Sequence, residues 1–307
     1  MKPIHTIMIT GANAGLGREA ARQLAHLQDI EKIYLACRNP EKAAAAKAEL
    51  EAETGRQIFE IVLVDVSDLN SVKQAVSQMT SPVDALILNA GGSGGQTPNA
   101  LTEQGVTHVF ASNILGHAVL VERLLERQLI TSTVLYAGSE TARGIAKMGI
   151  AAPELTSSST AEFAAIADGS KFHERADPLD VYAYVKRVGA LWMGAMARQH
   201  PHIRFVTMSP GGTTGTNGMD DLPFFKRLFF KHIGGILMPI MGMMHSVETG
   251  AKRYVDGLLN TKFESGRFYA SRIGSPTGMV VDQSAIDADF ADPVIQDNAL
   301  RAILKFI

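Results

Sequence analysis

Tyr182 and Lys186 lie four residues apart, and on a helix that spacing stacks a phenol and an ammonium on one face, one turn apart. A cation beside a phenol favours the phenolate, which makes the hydroxyl a usable proton donor or acceptor near neutral pH. The register is unambiguous: Tyr184 has Val188 four residues on, and Tyr136 has Glu140, so neither tyrosine offers the same pair. A second cluster is Thr10-Gly11-Ala12-Asn13-Ala14-Gly15-Leu16-Gly17, set between a short apolar run and an alanine-rich stretch. Gly11 allows a tight turn. Gly15 and Gly17 let backbone approach a pyrophosphate, which the free N–H groups and positive end of the following helix attract. About twenty residues beyond such a turn, a site for NAD usually carries a carboxylate for the ribose 2′-hydroxyl. Here that stretch reads Cys37-Arg38-Asn39-Pro40. Arg38 suits a 2′-phosphate instead, through charge-assisted, bidentate contact.

Alternating strands and helices must position these groups. Apolar runs at Ile4 to Thr10, Ile33 to Ala36, Ile58 to Val64, Val83 to Leu88, Thr133 to Ala137 and Ile203 to Met208 read as buried strands, with a last short strand at Arg267 to Ala270. Helices are expected over Arg18 to Leu27, Pro40 to Glu53, Leu69 to Met79, Leu101 to Arg127, Leu179 to Gln199, Val247 to Leu259 and Asp292 to Ile307. Ser67 or Asp68 can cap the third helix and Ser246 the sixth. This alternation predicts a Rossmann-type, doubly wound α/β fold with a mostly parallel sheet. Such sheets bind ligands at the carboxyl ends of their strands. Asp65-Val66, Asn89-Ala90-Gly91, Ser139, and Pro210-Gly211 with Thr213 all sit at such ends. Asn113 falls inside the expected helix 101–127, where an asparagine is slightly unfavourable and usually exposed, while the apolar run Ala118 to Leu125 that follows makes burial of that helix plausible.

Residues 140–180 show little periodicity and read as a surface insertion with one short helix, Ala161 to Ala167. Residues 217–245 carry Phe224, Phe225, Phe229, Phe230 and several methionines, with glycines and Pro239 as hinge points. That composition suits a mobile apolar lid over the substrate, or packing on the domain or on another subunit. A membrane-surface contact through Phe224 to Met244 is a weaker alternative.

Composition narrows the function classes. The chain has 307 residues, 46% hydrophobic and 20% charged, and reads as one domain, 1–307. A formal net charge of −2 points to neither nucleic acid nor an anionic membrane. Cys37 is the one cysteine, so no internal disulfide can form and a reducing, cytoplasmic setting is expected. The N-terminal apolar run is too short for a signal peptide, and the most apolar segment, Ile233 to Met244, is too short to span a bilayer. No metal site is expected. The oligomeric state is open between monomer and homodimer.

The glycine turn, Asn89-Ala90-Gly91, Asn113, Ser139, Tyr182-x-x-x-Lys186 and Pro210-Gly211 occur in the order that the short-chain dehydrogenase/reductase family uses. The chain resembles that family over about residues 4–270. Thr10 to Gly17 and Leu35-Ala36-Cys37-Arg38-Asn39 look closest to its retinol dehydrogenase and protochlorophyllide reductase branch. The resemblance implies NADP(H) in preference to NAD(H), an apolar small-molecule substrate, and a catalytic set of Asn113, Ser139, Tyr182 and Lys186. By the same resemblance, Ser139 hydrogen-bonds the substrate oxygen and Tyr182 transfers the proton. Lys186 lowers the phenol's pKa and binds the nicotinamide ribose, and Asn113 holds a water that links Lys186 to solvent. Thr10, Gly11, Asn13, Gly15, Leu16 and Gly17 line the pyrophosphate, Asp65 and Val66 the adenine, and Asn89, Ala90 and Gly91 the ribose side. Pro210, Gly211 and Thr213 sit near the nicotinamide. The implied activity is hydride transfer to or from a carbonyl or alcohol. Reduction of a carbon–carbon double bond and a cofactor-binding sensor without catalysis are the alternatives. Two departures stand out: the long stretch between Ser139 and Tyr182, and Ala14 at a position that is basic in many NADP-using relatives. Arg38 therefore carries most of the phosphate argument, with Arg18 as a helper.

Overall fold

The computed structural model describes residues 2–93, 97, 99–173, 176–214 and 242–307. Most of the expected lid, including its four phenylalanines, lies outside the described residues. Strands β1 (Thr6–Thr10), β2 (Lys32–Cys37), β3 (Phe59–Leu63), β4 (Val83–Leu88), β5 (Ile130–Ala137), β6 (Arg204–Met208), β7 (Phe268–Ser271) and β8 (Val280–Asp282) form one sheet. Their order is β3-β2-β1-β4-β5-β6-β7-β8. Every pairing is parallel except β7 with β8. After β1 the chain winds outward to β2 and β3, then returns to place β4 on the other side of β1. That reversal opens a crevice at the strands' carboxyl ends.

Helices cover both faces: α1 (Gly15–Ala25), α2 (Pro40–Thr54), α3 (Leu69–Gln78), α4 (108–126), α5 (Thr160–Ala167), α6 (Pro178–Gln199), α7 (Val247–Leu259) and α8 (Pro293–Leu304). Because strand side chains alternate in direction, β4 sends Leu86 and Leu88 into one apolar layer and Ala85 and Ile87 into the other. The first layer also holds Phe110, Ile114, Val185 and Trp192, and the second Leu24, Leu50, Val206 and Leu258. Each fully buried Leu or Ile stabilises by about 1.5–3 kcal/mol, so the sheet with its two layers is a firm platform for whatever its edge carries.

Three departures from expectation have local causes. α4 begins at His108, not at Leu101, because residues 102–105 form a turn in which Thr102 N donates to Val106 O and Gly105 has φ +73°. Thr107 then caps the helix, its Oγ1 accepting from Phe110 N. Inside α4, Ala111–Leu115 is a widened, π-type turn. The insertion is more than decoration, because Phe163, Ile166 and Ala167 of α5 are fully buried in the first apolar layer. β8, three residues long and half-exposed, is too short to show a periodicity in sequence.

Candidate active site

The glycine turn is packed so closely that side chains could not replace its glycines. Gly11 has φ +66° and donates its N–H to Ala36 O at 2.8 Å, which folds the turn over the end of β2. A Cβ at Gly17 would lie 2.5 Å from both Gly11 O and Asn89 Nδ2. Asn89 comes that near because its Nδ2 donates to Thr10 O at 2.9 Å. Thr10 Oγ1 accepts from Asn89 N and Ala90 N, both at 2.9 Å, locking the end of β1 to the end of β4. Asn13 and Leu16 lie partly exposed on this turn, and Gly250 of α7 lets Leu16 and Thr213 come together.

α1 starts differently from the other helices. Asn39, Asp68, Thr107, Ser159, Asp177, Ser246 and Asp292 cap α2 to α8 through their side chains. Ala14 offers α1 no such cap. Its first N–H groups are left for an anion, as a pyrophosphate would require. Arg38 is exposed at the end of β2 and bonds to no described residue. Arg18 does not fit the helper role, because Glu53 and Glu49 of α2 hold its guanidinium at 2.6 and 3.0 Å. Asp65 Oδ1 accepts from Ser67 N and Oγ, and the carbonyl of Val66 presses on α4 where only Gly116 leaves room.

The second half of the site lies where β5 ends. α6 starts under Asp177 with Pro178 at its first position and turns Tyr182 and Lys186 toward that end. Tyr182 lies close enough to Ser139 for the serine hydroxyl to favour its phenolate. Ser139 Oγ also accepts from Thr141 N and Thr141 Oγ1, at 3.2 and 2.9 Å. Lys186 is buried. Its Nζ donates to Ala137 O at 2.8 Å and stands 5.3 Å from the Tyr182 ring centre and 4.8 Å from that of Tyr136. Tyr184 faces elsewhere, exchanging hydrogen bonds with the backbone of Glu154 in the insertion.

Burial reverses the expected electrostatics. It pushes the Tyr182 phenol above its ordinary value; the Ser139 hydroxyl opposes the shift and the charge of Glu140 adds to it. Burial also pulls Lys186 down to about 7. The ammonium is thus near its midpoint at neutral pH, which weakens its pull on the phenol.

Asn113 is fully buried, as the apolar run after it allowed, although an asparagine within a helix is usually exposed. Its Nδ2 donates to Gly92 O and Val109 O at 2.8 and 2.7 Å, and its Oδ1 accepts from Gly92 N at 3.3 Å. The side chain therefore clamps the loop after β4, and Gly91 is required because a Cβ there would lie 2.4 Å from Oδ1. On the far side, Gly211 has φ +80° and its N–H donates to Ser209 Oγ, while His245 Nε2 donates to Pro210 O at 2.7 Å. Thr213 Oγ1 donates to Gly211 O at 3.0 Å.

The short chain dehydrogenase family profile matches residues 5–152. Over that stretch, just under half of its length, the chain is similar to the short-chain dehydrogenase family. Human retinol dehydrogenase 13 is 34% identical over 128 residues, 41% of this chain and 38% of that protein. Dehydrogenase/reductase SDR family member 12 of Bos taurus is 29% identical over 214 residues, 68% of this chain and 61% of that protein. The chain thus matches less than two thirds of the length of these relatives. Among solved structures, NADPH-bound carbonyl reductase from chicken fatty liver has a TM-score of 0.59 at 18% identity, covering 91% of this chain and 99% of that one. Salutaridine reductase from Papaver somniferum has a TM-score of 0.61 at 17% identity, covering 86% and 99%. At these identities the likeness is one of fold.

Sequence reasoning missed three residues of this site. Glu140 is buried directly after Ser139. Its Oε2 accepts from Ser209 Oγ at 2.5 Å and its Oε1 from Ser271 N at 3.1 Å. Arg253 of α7 faces the same carboxylate at 3.6 Å and closes the space beside Gly211. His117 is fully buried one turn after Asn113. The signals were a charge directly after a strand end and a lone histidine ahead of the apolar run 118–121.

Proposed function

We propose that the chain is an NADP(H)-dependent oxidoreductase acting on a carbonyl or alcohol of a largely apolar small molecule, with Tyr182 as proton donor and acceptor. One observation carries the reading: Tyr182 stands near Ser139 and over a buried Lys186, at the strand ends that also hold the uncapped start of α1. When bound, the nicotinamide supplies or takes up the hydride. The protein's own tasks are then to orient both reactants, exclude water and move one proton.

Ser139 polarises the substrate oxygen through its hydroxyl. Tyr182 gives that oxygen its proton on reduction and takes it back on oxidation. Lys186 orients the nicotinamide ribose and supplies the charge that a phenolate needs. Thr10 to Gly17 present backbone N–H groups to the pyrophosphate. Asp65 and Val66 flank the adenine, Asn89 to Gly91 the ribose side, and Pro210, Gly211 and Thr213 the nicotinamide. Arg38 is free to meet a 2′-phosphate, and no acidic residue stands at the end of β2 to prefer a 2′-hydroxyl. The NADPH-bound carbonyl reductase among the structural neighbours is consistent with that choice. Among the described residues no helix is long and apolar enough to cross a membrane.

The test is NADPH oxidation against a panel of ketones, aldehydes and quinones, with cofactor affinities measured alongside. Turnover of apolar carbonyls is expected, with NADPH bound more tightly than NADH by about 10–150-fold, the worth of one charge-assisted contact. Arg38→Asp is expected to abolish or invert that preference. Tighter binding of NADH by the unmodified protein would overturn the cofactor assignment.

A further inference from the structure

His117 joins the end of β1 to the widened turn of α4 through a hydrogen-bond chain. Its Nδ1 lies 3.1 Å from Asn113 O, a carbonyl that only accepts, so Nδ1 carries the proton. Its Nε2 lies 3.0 Å from Thr10 Oγ1. That hydroxyl already accepts from Asn89 N and Ala90 N, so its own proton goes to the bare Nε2 at 3.0 Å, the nearer of two acceptors, the carbonyl of Ile87 standing at 3.4 Å. The chain therefore runs from the backbone after β4 to Thr10, through the imidazole, to the carbonyl of Asn113 in the widened turn of α4. The imidazole is fully buried, and burial pulls its pKa down to about 4, helped by the nearby charge of Lys186. It stays neutral across the physiological range, as its two partners require.

We propose that His117 is a positioning residue: held as the neutral Nδ1–H form, it sets the cofactor turn against Asn113 in the widened turn of α4. It touches neither substrate nor cofactor and acts through Thr10 on one side and Asn113 on the other. The roles at either end rest on the function proposed above. The hydrogen-bond chain itself does not.

Two variants separate the ends. A shorter amide, His117→Asn, can still donate to Asn113 O but falls short of Thr10. The longer His117→Gln can reach Thr10 while losing the Asn113 contact. His117→Asn is expected to weaken NADPH binding more than it lowers kcat, and His117→Gln to lower kcat more than it weakens binding. Each principal effect should be about 3- to 10-fold, the size of one or two uncharged hydrogen bonds. A residue that merely fills space would move both quantities together in both variants, and that outcome would overturn the proposal. Nitrogen-15 NMR of the histidines in the unliganded protein provides an arm that needs no turnover. An Nδ1–H tautomer that does not titrate between pH 5 and 8 is expected. An Nε2–H tautomer, or a charged ring at neutral pH, overturns the proposal even if the enzyme proves active. An expected tautomer in a protein that reduces nothing on the carbonyl panel would sink the proposed function and leave this inference standing.

Discussion

The turn after β1 and the turn after β5 face the same crevice but are built on opposite terms. The first is held by backbone and by neutral groups: Thr10, Asn89 and a histidine that burial keeps uncharged. Its glycines create room, and its one unpaired charge, Arg38, stands outside in water. The second is built from ionisable groups taken out of water: Tyr182, Lys186, Glu140 and Arg253. A binding surface needs shape and free N–H groups, which small residues supply at little electrostatic cost. Proton transfer needs groups whose pKa values have been moved, and burial is what moves them.

If that contrast is right, breaking a charge at the second turn costs more than breaking a neutral bond at the first. Glu140→Gln leaves Arg253 buried without its counter-ion and should destabilise the fold by about 3–5 kcal/mol in urea denaturation, with part of the loss recovered in the double variant carrying Arg253→Met. Thr10→Val, which strands the N–H groups of Asn89 and Ala90, should cost about 1–3 kcal/mol. Equal losses would erase the contrast.

Lys186 gives a pH signature next in size. Its folded pKa is lowered from 10.5 to about 7, so the unfolded chain binds more protons across that window and stability rises with pH through it. One such group contributes a slope of about 1.4 kcal/mol per pH unit at most. Lys186→Met should flatten the stability profile between those limits. An unchanged profile would mean that the ammonium is not desolvated.

The smallest effect separates two phenols. Tyr136 is fully buried under Lys186 and its hydroxyl has no hydrogen-bond partner. Tyr136→Phe should therefore leave thermal stability unchanged or raise it by about 1 kcal/mol, because an unsatisfied polar group is removed. A clear loss of stability would reveal a partner for that hydroxyl.

The first turn was more legible in sequence than the second, for the same physical reason. Glycine spacing and apolar strand runs are local, and α7 occupies Val247–Leu259, the expected residues. The Tyr182–Lys186 register was equally plain. The direction of their pKa shifts was not, because it depends on Ala137 and Tyr136 closing over Lys186 from a distant strand. Arg18 looked free for a phosphate because nothing in its own helix shows that Glu49 and Glu53 of α2 stand opposite. The burial of Asn113 was left open in sequence because an asparagine in a regular helix finds few partners. The widened turn supplies them from Gly92 and Val109. Leu101 and Val106 continue the apolar pattern of α4 backwards, but Gly105 between them breaks the helix.

The most direct measurement is made on Tyr182→Phe, with NADPH affinity by fluorescence titration and NADPH oxidation with the best carbonyl of the panel read on one preparation. Separable binding and chemical halves predict an affinity within about twofold of the unmodified protein and a kcat lower by about 10²–10⁴-fold. Turnover near the unmodified rate would contradict the assignment of the proton donor, and with it the division of labour between the two turns.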